Sequence, residues 1–157
     1  MEPRLKYYQA APEGYRAVRA LEDYVDNSSL EESLRNLVKL RASQINACAF
    51  CIDMHWKDAR AAGESEERLY MLDAWREHGA YSDRERAALA WTESLTRLSE
   101  KGAPDEVWEE VRAQFSDREL ADLSLAIATI NVWNRLSVGF RMPGGIYQPR
   151  PRAESTG

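Results

Sequence analysis

Apolar side chains recur every three to four residues through almost the whole of this chain, and nowhere does the alternation of a half-buried strand persist between turn signals. That period restricts the fold to packed helices, and the spacing predicts seven of them in a compact all-α bundle. The first runs from about Pro12 to Val25, with Tyr15, Val18 and Leu21 on one stripe, and the second from about Leu30 to Ser43, burying Leu34, Leu37 and Val38. Asn46 is the expected N-cap of the third, which stops at Gly63. Ser65 caps a fourth that buries Leu69, Leu72 and Trp75 and ends at His78-Gly79. Ser82-Asp-Arg-Glu85 and Ser116-Asp-Arg-Glu119 both have the form of a capping box. They open a fifth helix ending at Gly102 and a seventh running past Ile130, with a short sixth restarted between them by Pro104. The seventh is the most apolar and is expected to be the most buried. Beyond Phe140 the prolines and glycines predict a loose arm or intersubunit strap over about 143–157. No linker or repeat divides the chain, so 1–157 reads as a single domain.

A net charge of -5, with no cluster of Lys or Arg on a helix face, removes the electrostatic drive for nucleic-acid binding. Met1 to Lys6 lacks the apolar core of a signal peptide, and no stretch is long enough to span a bilayer. A cytoplasmic protein without a membrane partner is therefore expected. In that reducing compartment the two cysteines, Cys48-Ala-Phe-Cys51, are catalytic, redox-sensing or metal-binding rather than a structural staple. On a helix Cys48, Cys51 and His55 fall within an arc of roughly 60°, on one face. Cys48 lies in the first turn, where the dipole and free N–H groups favour a thiolate, and His55 one turn from Cys51 predicts that thiol too to titrate below the free value of about 8.5. The residues alone leave open a buried core pair beside a hydrogen-bonded histidine, and a zinc site of Cys48, Cys51 and His55 with His78 as the one further histidine. Haem attachment is excluded by Ile52 after Cys51, and a thioredoxin fold by the lack of a βαβ unit.

The run Leu37-Val-Lys-Leu-Arg-Ala-Ser-Gln-Ile-Asn-Ala-Cys48-Ala-Phe-Cys51-Ile-Asp-Met-His55 resembles the signature of the alkylhydroperoxidase D (AhpD)-like branch of the carboxymuconolactone decarboxylase family. The likeness continues through Lys57-Asp-Ala-Arg-Ala-Ala-Gly63, Ser82-Asp-Arg-Glu-Arg-Ala-Ala-Leu89 and Asn131-Val-Trp-Asn-Arg-Leu136. The resemblance implies a thiol-dependent peroxidase. Cys51 would attack the peroxide, Cys48 would resolve the product as a disulfide, and His55 would relay protons. A lipoyl-type or thioredoxin-like dithiol would restore the pair, with no metal, flavin or haem cofactor. It also implies a homo-oligomer, a dimer, trimer or hexamer, with the site near a subunit boundary. The sequence departs from the pattern at Asn36, twelve residues before Cys48, where the family carries a glutamate. Glu32, one turn earlier, is the position that would substitute. A non-catalytic oligomer or a thiol-disulfide redox sensor of the same fold is the alternative. Asn131, Trp133, Asn134 and Arg135 are expected to form a hydrogen-bond network within the last helix. His78 is expected as a favourable cation at a helix end, and Trp56, Tyr70, Trp75 and Trp91 as core or interface.

Overall fold

The computed structural model describes residues 2–149, and among these every regular element is helical. In chain order they are α1 (Tyr7–Ala10), α2 (Pro12–Asp26), α3 (Glu32–Ile45), α4 (Ala49–Ala61), α5 (Glu66–Tyr70), a 3-10 turn (Met71–Ala74), α6 (Asp83–Thr96), α7 (Leu98–Lys101), α8 (Asp105–Gln114) and α9 (Asp117–Gly139). No helix among them is long and apolar enough to cross a membrane. Ser65, Ser82 and Ser116 cap their helices as the sequence predicts, the last two as complete capping boxes.

Among the described residues there are nine α-helices where periodicity predicts seven. One of the extra two, α1, is four residues long, too short to display a period, and the other, α7, is the last turn of the fifth predicted helix, set off from α6 by a break at Arg97. The fourth predicted helix also ends early, at Tyr70, and continues only as a 3-10 turn. Asn46 does not cap α4. It ends α3, and Ala47 takes a left-handed φ of 50°, turning the chain so that Cys48 becomes the N-cap.

Helix α3 is the centre of the molecule, packed against α4, α6 and α9. Leu34 and Val38 face one cluster, with Trp91, Val111, Leu123 and Ile127. Leu37 and Leu40 face a second, with Leu69, Leu72, Trp75 and Leu89, and Ala42 closes a third around Cys48, Cys51 and Ile130. All residues from Leu37 to Ser43 are buried. Lys39 and Arg41 join that run because each finds carboxylates: Lys39 those of Glu22 and Asp26, Arg41 those of Glu93 and Asp73. Helix α9, expected to be the most buried, instead leaves Leu125, Val132 and Val138 exposed along its outer side. Its apolar composition covers more of the helix than the core uses.

The start of the expected loose arm is docked. Gly145 N–H donates to Asp53, Lys57 Nζ to the Tyr147 carbonyl, and the Tyr147 hydroxyl to Asp58 at 2.7 Å, strapping the segment across α4. The remainder, 150–157, lies outside the described residues.

Candidate active site

The turn at Ala47 delivers Cys48 to the mouth of α4, where its sulfur accepts the Cys51 backbone N–H at 3.4 Å. The two sulfurs lie 2.6 Å apart and share a hydrogen bond, and both cysteines are free and buried. Cys48 is lowered to about 7, first by the bond from the Cys51 side chain and further by that N–H, which together outweigh its burial. Cys51 is pushed up, because it keeps the shared proton and is itself desolvated. The acidity expected of both thiols is therefore found on Cys48 and not on Cys51. An N-cap sulfur receives the N–H directly, whereas a sulfur one turn later does not.

Nor does the imidazole acidify the pair. His55 is 6% exposed, its Nε2 has no hydrogen-bond partner among the described residues, and burial followed by the nearby Lys39 charge lowers it to about 3. It is a neutral ring at physiological pH. Cys51 and His55 nevertheless line the same cavity, of about 700 Å³, together with Asn36 and Glu32. The four are thus gathered at one site, with Cys48 buried behind Cys51.

Three features of this cavity escaped the sequence reading. One is an aromatic wall of Tyr7, Tyr8, Tyr15 and Trp133, with Tyr15 edge-on to Trp133 at 5.8 Å. Two of its rings come from the short helix α1. The second is an ion cluster in the cavity wall, with Lys39 and Glu22 buried and Asp26 half exposed. Lys39 Nζ bonds Glu22 and, at 2.9 Å, Asp26, while the second Glu22 oxygen accepts Trp133 Nε1 at 2.8 Å. Two cations inside the apolar run Leu37-Val-Lys-Leu-Arg were the legible signal for it, since buried cations require acids. The third is the strap, whose Met142, Tyr147 and Pro149 complete the wall.

The amide network expected on the last helix is present, and it serves the site. Asn46 donates to both Asn131 and Asn134, and Asn134 donates to Ser43 at 3.1 Å, tying α9 to the end of α3. Asn134 and Ser137 also reach the sulfur pair. Trp75 and Trp91 are buried as expected, Tyr70 is exposed, and His78 lies 3.3 Å from Glu67, remote from the cysteines' cavity. Among the described residues no three His, Cys, Asp or Glu side chains are grouped to hold a metal ion.

The sequence pattern of the carboxymuconolactone decarboxylase family matches residues 12–94. The chain belongs to this family. It is 46% identical over 138 residues to the uncharacterized protein YdfG of Bacillus subtilis (strain 168), which spans 88% of this chain and 94% of YdfG. A solved structure from Agrobacterium tumefaciens, of unknown function and described in connection with the antioxidant defence protein AhpD, is 46% identical. It superposes with a TM-score of 0.90 over 93% of this chain and 100% of its own. The debrominase Bmp8 shares the fold at 17% identity, with a TM-score of 0.80 over 88% of this chain and 74% of that one. This member of the carboxymuconolactone decarboxylase family is therefore AhpD-like in its fold.

Proposed function

We propose that the protein is a thiol-dependent peroxidase that reduces a peroxide at Cys51. The observation that carries this reading is the placement of Cys51 at the wall of a roomy cavity with Cys48 2.6 Å behind it. The shared proton passes from Cys51 to Cys48, which arms the sulfur facing the cavity. Cys51 thiolate attacks the terminal peroxide oxygen, an S–O bond forms, the O–O bond breaks, and the sulfur is oxidised to sulfenic acid. Cys48, now carrying the proton, attacks the Cys51 sulfur and expels water, leaving the disulfide. An external dithiol, lipoyl-type or thioredoxin-like, reduces it and is itself oxidised to a disulfide.

His55, neutral and with a free Nε2, accepts or returns a proton without carrying charge at rest. Asn36 offers only an amide at the position where a carboxylate would speed that exchange. Peroxide consumption with dihydrolipoamide as reductant tests the reading. Wild type is expected to consume peroxide and form an intramolecular disulfide, Cys48→Ser to stop at a sulfenic or overoxidised Cys51, and Cys51→Ser to be inert. A wild type that forms no disulfide with peroxide overturns it.

A further inference from the structure

Breaking an O–O bond leaves an oxygen anion that needs a proton, and none of the groups assigned so far carries an excess one at rest. Cys48 takes the proton from Cys51, the His55 ring is held neutral by burial, and the Asn36 amide does not exchange at neutral pH. Tyr7 shares the cavity with all three of Cys51, His55 and Asn36. Its helix, α1, is fastened to the end of α9. Arg4 N–H donates to the Phe140 carbonyl at 2.9 Å, the Arg4 guanidinium to the Gly139 carbonyl at 3.2 Å, and the Tyr7 ring stacks on Phe140 at 5.5 Å. Ser137, less than one turn before Phe140, lines the cavity and reaches the sulfurs. The phenol is thereby anchored at the end of the helix that holds the thiol pair. Its hydroxyl makes no hydrogen bond among the described residues, so its proton is uncommitted. Burial, with added repulsion from Tyr15 and then from both thiols, holds that phenol protonated, at about 12.

We propose that Tyr7 is the proton donor to the leaving oxygen when the peroxide bond breaks, an assignment that rests on the peroxidase reading above. Cys51 thiolate and ROOH give Cys51–S–OH and RO⁻, and the alkoxide takes the Tyr7 proton to leave as ROH. Tyrosinate then recovers a proton from water in the open cavity, the balancing hydroxide passing to solvent. A phenol suits the step because it is the weaker acid at rest, staying protonated at neutral pH, yet gives its proton readily to an alkoxide.

Oxidation of the reduced full-length protein by two oxidants tests this. tert-Butyl hydroperoxide leaves as an alkoxide and needs a proton, whereas peracetic acid leaves as acetate and needs none. Tyr7→Phe keeps the stacked ring and is expected to oxidise about 10- to 100-fold more slowly than wild type with tert-butyl hydroperoxide and at the wild-type rate with peracetic acid. The ratio of the two rates is independent of how much of the variant is folded. Equal slowing with both oxidants, or no slowing with the hydroperoxide, overturns the role of Tyr7 and leaves the peroxidase reading intact. A wild type that fails to react with tert-butyl hydroperoxide overturns both.

Discussion

Burial of His55 has a measurable consequence for stability. In the unfolded chain the ring binds a proton below about 6.5, whereas in the fold it stays neutral down to about 3. Between those values the unfolded state holds the extra proton, so stability falls as the pH drops, by about 1.4 kcal/mol per pH unit. Urea unfolding from pH 6.5 to 4 should show this slope, and His55→Gln should lose it; parallel curves would mean that His55 is solvated. Asn36 makes a second prediction at this scale. The cavity wall holds four carboxylates, Glu22, Asp26, Glu32 and Asp58, against three cations, Arg19, Arg35 and Lys39, so Asn36→Glu adds to an excess of negative charge, which raises its pKa. Peroxide turnover should rise several-fold, with a new ionisation above the ordinary carboxylate range, and the melting temperature should fall. An unchanged turnover would show that the relay does not pass through this position.

The strap over α4 illustrates how a single residue governs an element. A Cβ on Gly144 would meet the Ala49 carbonyl oxygen at 3.0 Å and its carbon at 3.1 Å, both rigid backbone. Gly144→Val therefore lifts the strap instead of deforming the helix. The loss is capped by the three hydrogen bonds that dock the segment, at about 1 kcal/mol each. Denaturant unfolding should show a loss of about 1–3 kcal/mol, and a bulky maleimide should label Cys51 faster than in wild type; unchanged labelling would mean that the strap does not guard the cavity. The sequence announced this element only as Pro and Gly without apolar period, because its docking is made by backbone groups and by Asp53, Lys57 and Asp58, which any solvated helix face would also carry. The long helices were legible from periodicity and their starts from the serine caps. The four-residue α1 was not, since a single turn carries no period.

At the scale of the whole molecule, the order of burial was misread for one reason. Helix α3 carries two cations in its most buried stretch, and a sequence scan counts those as surface until it finds their acids. Glu22 lies on α2, and Asp73 and Glu93 lie 32 and 52 residues beyond Arg41. The Cys48, Cys51 and His55 constellation was legible because Cys51 and His55 sit one turn apart on α4 and Cys48 is that helix's N-cap. The aromatic wall was not, because its rings come from α1, α2 and α9 and meet only in the folded chain. The single proton shared by the sulfurs sets how the couple responds to its medium. Above about pH 7 the reduced pair carries one proton, so forming it from the disulfide consumes two electrons and one proton; below that it consumes two protons. The midpoint potential should fall by about 59 mV per pH unit on the acid side and by about 30 mV on the alkaline side. Equilibration against lipoamide and dihydrolipoamide from pH 6 to 8.5 would reveal the bend, and a uniform slope of about 59 mV would remove it. Since a dithiol whose groups both stay protonated keeps the steeper slope, its advantage as a reductant of this protein grows about tenfold in equilibrium constant with each unit of rising pH.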